Sequence, residues 1–126
     1  MLSAPVRVLI IDDDSAMVAV LRDYFQAKQG YVVATASTAE DGLMEAEHTR
    51  PDLILLDIRL PGMDGIEGLQ KLRETVGRVP VIMVSGTADL MAPSAALALG
   101  ALAYLAKPFN FESLDHVVAL ALEQNR

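Results

Sequence analysis

Five polar side chains stand where apolar runs of this chain stop. Asp12 and Asp13 follow Val6–Ile11, Asp57 follows Leu53–Leu56, Ser85 follows Val79–Val84, and Lys107 follows Leu102–Ala106. An acid at the end of a buried run is costly unless it has a partner or a task. Three carboxylates crowded together repel one another and would tend to protonate or unfold their surroundings. A hard divalent cation resolves the repulsion, because Mg²⁺ takes oxygen ligands from a few carboxylates and completes its shell with waters and phosphate oxygens. A lysine supplies a point charge and a serine a hydroxyl donor, and both suit a phosphoryl group. A carboxylate surrounded by cation, lysine and hydroxyl can itself be the nucleophile of a phosphoryl transfer.

Each signal alone has a plainer explanation. Asp12 to Asp14 can be a helix cap, Asp57 a turn residue before Pro61-Gly62, Ser85-Gly86 a loop, and Lys107 a solvated cation before Pro108. The chemistry depends on whether the fold brings them together.

The elements that would do so are legible from periodicity. The strand candidates Val6–Ile11, Tyr31–Ala36, Leu53–Asp57, Val79–Val84 and Leu102–Ala106 are mostly unbroken apolar runs, as in strands buried on both faces of a parallel sheet. Helical spacing lies between them. It predicts a helix from Ser15 to Lys28 with Met17, Val18, Leu21, Tyr24 and Phe25 inward, capped by an Asp of the triplet and ended by Gly30. A second starts at Ser37 or Thr38, turns Leu43, Met44 and Ala46 inward, and stops at Arg50-Pro51. A third covers Gly65 to Val76, with Ile66, Leu69, Leu72 and Val76 inward and Gly77 as cap. A short fourth runs from Met91 to Leu99 and closes at Gly100; the last spans Glu112 to Glu123 with Leu114, Val117, Val118, Ala121 and Leu122 inward.

Five strands alternating with five helices through short loops imply an α/β fold, a doubly wound (βα)5 parallel sheet with helices on both faces. The expected strand order is 2-1-3-4-5, the flavodoxin-like order, with ligands beyond the C-terminal strand ends. Strands one, three, four and five then present the five polar residues along one edge. Only the outer second strand contributes none.

Composition narrows the function. The 126 residues are expected to form one domain (1–126), and 10 Lys+Arg against 17 Asp+Glu give a net charge of −7, which argues against direct nucleic-acid binding. There are no cysteines, so disulfides and thiolate metal sites are out. His48 and His116 read as exposed helix residues. No secretory leader and no apolar stretch of membrane-spanning length is evident, so a cytoplasmic location is expected.

Four segments together resemble the receiver domain of two-component response regulators, in the chemotaxis-regulator-like superfamily. They are Ile-Ile-Asp-Asp-Asp at 10–14, Asp-Leu-Ile-Leu-Leu-Asp-Ile-Arg-Leu-Pro-Gly-Met-Asp-Gly at 52–65, Val-Ile-Met-Val-Ser-Gly at 81–86 and Ala-Tyr-Leu-Ala-Lys-Pro-Phe at 103–109. Each motif alone is weak; four in this order, each at a strand end, are specific. The resemblance implies that Asp57 accepts a phosphoryl group from a phosphohistidine of a sensor histidine kinase or phosphotransfer protein. It implies Mg²⁺, or Mn²⁺ in its place, held directly by Asp13 and Asp57, by Asp12 through water, and by the backbone carbonyl of Arg59. Ser85 and Lys107 would contact the phosphoryl oxygens, Tyr104 would change position with Ser85, and the Lys107–Pro108 bond would be cis. Such a domain is a signalling switch rather than an enzyme, although it catalyses its own phosphorylation and dephosphorylation.

Two residues depart from the commonest pattern. Ser85 stands where Thr is usual, and the hydroxyl survives. Arg59 brings a long cation beside the acids; it is expected to fold over the pocket or pair with an acid without metal, and to slow hydrolysis. Arg59 also argues against a phosphatase, which needs an acid two residues after the nucleophile. The Asp triplet argues against a flavodoxin-like cofactor carrier, whose first loop must welcome phosphate. A phosphorylation-independent interaction module of the same fold is the remaining alternative. From Leu90 to Leu99 the only polar side chain is Ser94, so the face of helix four, strand five and helix five, including Leu90, Met91 and Leu97, is expected to form a homodimer or dock a partner.

Overall fold

A computed structural model of the protein describes residues 4–60, 65–86 and 93–124. The elements in order are β1 (Val6–Ile11), α1 (Ser15–Gln26), β2 (Tyr31–Ala36), α2 (Ala39–Thr49), β3 (Leu53–Asp57), α3 (Gly65–Val76), β4 (Val81–Ser85), α4 (Pro93–Ala98), β5 (Ala103–Ala106) and α5 (Phe111–Gln124). The five strands are all parallel in the order β2-β1-β3-β4-β5. The class is the one the apolar runs imply, and the order is the flavodoxin-like one expected.

Successive strand residues point to opposite faces, and each face has its own core. On one, Val8, Ile10, Leu53, Leu55, Ile82, Val84 and Leu105 meet Leu21 and Phe25 of α1 and Leu114, Val117, Val118 and Ala121 of α5. On the other, Leu9, Ile11, Ile54, Leu56, Val81 and Met83 meet Ala46 of α2, Leu69 and Leu72 of α3 and Ala96 of α4. β3 and β4 are buried along their whole length, so their C-terminal ends are fixed by packing on both sides.

Several boundaries differ from expectation. α1 ends at Gln26, where the Ala27 N–H donates to Asp23 O at 3.0 Å, and Gly30 (φ +91°) instead shapes the turn into β2, its carbonyl accepting from Val6 N–H at 2.7 Å. β4 begins at Val81 rather than Val79. Pro80 has no N–H and offers only its carbonyl, to Ile54 N–H at 3.0 Å, while the Val79 carbonyl is taken by the Arg73 guanidinium at 2.5 Å. β5 begins at Ala103. Of the expected fourth helix, Met91 and Ala92 lie outside the described residues, as does Leu90 before it, and α4 ends at Ala98 before a turn at Gly100 (φ +101°). His48 and His116 are exposed, as expected.

α2 lies closer to the sheet than its sequence suggests. Met44 is 68% exposed, and the buried positions are Ala39, Gly42 and Ala46. A Cβ on Gly42 would sit 2.5 Å from Ile11 Cδ1 and 2.8 Å from its Cγ1. Ile11 is itself fully packed, so Gly42→Ala should cost about 1–3 kcal/mol of overpacking, more than the ~1 kcal/mol gained in helix propensity. At Gly68 of α3 the added Cβ meets only ordinary contacts, the nearest at 3.8 Å. Gly68→Ala should therefore stabilise by about 0.5–1 kcal/mol. Guanidinium melts of the two variants should move in opposite directions.

Candidate functional site

The site is built by local caps as much as by strands. β1 delivers Asp12, whose N–H donates to Ala36 O at 3.0 Å and whose Oδ1 accepts from Asp14 N–H at 2.9 Å. Asp14 is the N-cap of α1, its Oδ1 accepting from Ala16 and Met17 N–H at 3.0 and 3.2 Å. The triplet thus divides its labour: the third acid satisfies orphan amides of the helix, and the first two remain for the sheet edge. Asp12 is buried and Asp13 is exposed at the rim.

Asp57 closes β3, and Ile58 N–H pairs with Val84 O at 3.1 Å, which holds the acid against β4. Its Oδ1 accepts from Arg59 N–H at 3.3 Å. Ser85 ends β4 with 1% exposure, and its hydroxyl donates to Gly86 O at 3.1 Å. The Ser85 carbonyl accepts from Lys107 N–H at 2.5 Å, so serine and lysine share one backbone rung. The Lys107–Pro108 bond is cis.

These placements converge. Carboxylate oxygens of Asp12, Asp13 and Asp57 all lie within 4.8 Å of one another. Lys107 Nζ reaches Asp12 Oδ2 at 3.2 Å and Asp57 Oδ2 at 3.8 Å. Burial, and then the negative charge of Asp12, push the Asp57 carboxyl from its ordinary value up to about 7, while Lys107 and the Arg59 N–H pull it back. An acid held that far up is one that gains by meeting a cation. The donor set is all carboxylate oxygen, with no sulfur or imidazole, and this fits a hard ion such as Mg²⁺.

The other expected residues are placed as follows. Tyr104 lies on β5 opposite Met83 and is partly buried against the core under α3 and α4. Ser85 is opposite Ala106 on the same pair of strands, two positions nearer the site. The Arg59 backbone is beside Asp57 and its side chain is exposed. Leu97 of α4 is 50% exposed; Leu90 and Met91 are outside the described residues. Sequence reasoning missed Arg73 of α3, whose guanidinium bonds three backbone carbonyls across two loops. The nearest signal for it was a cation one turn before Gly77.

A family profile described as the response regulator receiver domain matches residues 8–119. The chain belongs to this family. The receiver is 38% identical over 119 residues, 94% of its length, to the alkaline phosphatase synthesis transcriptional regulatory protein PhoP of Bacillus subtilis, and spans 49% of that protein. About half is the usual share for curated relatives of this kind, which are regulators with further sequence. A different relative, sporulation initiation phosphotransferase F of Bacillus subtilis, is 34% identical over 89% of this receiver and 90% of its own length. Among solved structures, a CheY-like response regulator receiver domain protein of Methanospirillum hungatei superposes with a TM-score of 0.86 at 36% identity, covering 97% of this receiver and 98% of that chain. Among the described residues no helix is long and apolar enough to cross a membrane.

Proposed function

We propose that this receiver is a phosphorylation-activated switch in which Asp57 accepts a phosphoryl group from the phosphohistidine of a sensor histidine kinase or phosphotransfer protein. The observation that carries the reading is the convergence of three carboxylates and a lysine ammonium at the C-terminal edge of the sheet, with Asp57 at its centre. Asp57 and Asp13 would hold Mg²⁺, with the Arg59 carbonyl beside them and Asp12 through water; Mn²⁺ would substitute. Bound there, the ion would neutralise charge on the carboxylates and on the phosphoryl oxygens as they approach.

The residues of the chain do the rest. An Asp57 oxygen attacks the phosphorus, the P–N bond to the donor imidazole breaks, and the imidazole leaves with that electron pair. The acyl phosphate brings new charge to the pocket. Lys107, now shared between Asp12 and Asp57, would turn toward a phosphoryl oxygen, and the Ser85 hydroxyl would donate to another instead of to Gly86 O. The energy of those contacts exists only in the phosphorylated state, so it can bias a two-state equilibrium. Tyr104, one strand over, would repack as Ser85 moves. The output is the α4–β5–α5 face, where Leu97 is exposed, through a homodimer or a docked partner. The receiver would act in the cytoplasm, where its donor kinase domain lies. It is a switch and not an enzyme of a foreign substrate, although it would catalyse the gain and loss of its own phosphoryl group.

Incubation with Mg²⁺ and acetyl phosphate should add one phosphoryl group by intact mass. Chelation of the metal should prevent it. No gain from acetyl phosphate or from any histidine-phosphorylated donor would favour the phosphorylation-independent module.

A further inference from the structure

Arg73 does something that the phosphoryl chemistry does not use. It sits in the last turn of α3, half-buried, and its guanidinium donates to Gly77 O at 3.0 Å, to Val79 O at 2.5 Å and to Gly100 O. Two of these carbonyls belong to the loop that enters β4. The third belongs to the turn between α4 and β5. One planar fork therefore ties the loop that follows α3 to the α4–β5 turn, 27 positions from Arg73 along the chain. All its acceptors are neutral carbonyls, whereas Lys107, half-buried at the sheet edge, answers acids.

The receiving side is shaped for the fork. Gly100 adopts φ +101°, and a Cβ on it would lie 3.2 Å from Arg73 Nε. The positive φ favours glycine, and a Cβ there would also crowd the guanidinium, which would have to shift slightly to admit it. The turn is further held by Leu99 and Ala101 N–H donating to Ala96 O at 3.2 and 3.1 Å, Gly100 N–H to Leu97 O at 3.1 Å, and Leu102 N–H to Val81 O at 2.8 Å. The far end of α4 is fixed to α3 and to the sheet.

We infer that Arg73 is a positioning residue of the switch: it clamps the α4–β5 turn, so that motion arising at Ser85 is confined to the site-proximal end of α4 and swings the helix instead of sliding it. A swing would change the tilt of the face bearing Leu97 while leaving β5 in register. A fork is needed because three carbonyls from two directions must be met at once; a lysine, with a point charge and no plane, would hold one or two.

The clamp is tested first without activation. In Arg73→Met, hydrogen exchange at the amides of Gly100, Ala101 and Leu102 should quicken about tenfold or more, while the amides of Leu9 and Ile10 in β1 report any global loss of stability. Arg73→Lys should recover part of the protection. Equal acceleration at both places, or no change at 100–102, overturns the clamp. The confinement presupposes the phosphoryl-acceptor reading, so the second readout is the amide shifts on adding beryllofluoride and Mg²⁺. In the wild type they should be large at Ser85 and fall away before Gly100; in Arg73→Met they should extend through Leu102. Large wild-type shifts at Gly100 to Leu102 overturn the confinement alone. No shift at Asp57 or Ser85 in the wild type defeats the acceptor reading, and the confinement with it, but leaves the exchange result standing.

Discussion

With metal chelated above pH 7, Asp57→Asn should melt about 5 °C higher than the wild type, although it takes up no phosphoryl group at all. Uptake is lost with the carboxylate nucleophile, whereas the gain in stability has an electrostatic cause. Burial and the neighbouring charge of Asp12 raise Asp57 to about 7, so the folded protein binds that proton more tightly than the unfolded chain does. Between about pH 4 and pH 7 folding takes up a proton, and stability falls as pH rises across that window. The stabilising contribution is whole below the unfolded value and is lost once pH passes the folded one. A raise of this size corresponds to at most about 4 kcal/mol. Sharing of the repulsion with Asp12, and compensation by Lys107, reduce the gain expected from a neutral amide to about 1–2 kcal/mol, or about 5 °C.

The measurement is a set of thermal melts with chelator from pH 4 to pH 9. The wild type should lose stability from pH 4 to pH 7 more steeply than Asp57→Asn, so the gap opens across that window and stays constant above it. Added Mg²⁺ should raise the wild-type midpoint at pH 8 and do little at pH 5, because an ion that binds only the folded, ionised site stabilises by mass action. Parallel curves for the two proteins would mean that Asp57 is not the strained acid of this pocket.

That strain was only partly visible in the sequence. The strands were, because β1, β3 and β4 are apolar runs that any buried parallel strand would need, and their ends mark where Asp12, Asp57 and Ser85 had to be. The alternation implied a parallel sheet, and the flavodoxin-like order expected for it put those ends side by side. What the residue pattern did not carry was anything decided by close approach. Met44 looked like a core residue of α2, but the helix is drawn down onto Ile11 through Gly42, which turns Met44 to solvent. Gly30 looked like a helix stop, but α1 finishes earlier on its own backbone bonds. Val79 looked like a strand residue, but Arg73 takes its carbonyl. Long-range pairing of a side chain with a distant loop leaves no period to read. Asp12 and Asp13 were expected at the site, but the residue types alone did not say which Asp of the triplet caps α1; it is Asp14.

Lys107→Met should separate the metal from the phosphoryl chemistry. Lys107 Nζ lies 3.2 Å from the buried Asp12 and 3.8 Å from Asp57. Its loss leaves Asp12 without its cation, and breaking one side of a buried pair is strongly unfavourable. With the lysine 18% exposed, the cost in metal-free protein should be about 1–3 kcal/mol, at the lower end of that range because water reaches the ammonium. Mg²⁺ supplies the missing positive charge, and it no longer competes with an ammonium for the same oxygens. The variant should therefore bind Mg²⁺ at least as tightly as the wild type at pH 8 and regain most of its melting temperature on adding it. Phosphoryl uptake should not recover. A charge-assisted contact to the transferring group is worth about 1.5–3 kcal/mol, so uptake from acetyl phosphate at saturating Mg²⁺ should fall about tenfold to a hundredfold. Melts with and without Mg²⁺, read beside the rate of mass gain, give both halves. If uptake at saturating metal matches the wild type, Lys107 only balances the acids at rest; if Mg²⁺ fails to restore stability, the carboxylates do not form the cation site that their spacing implies.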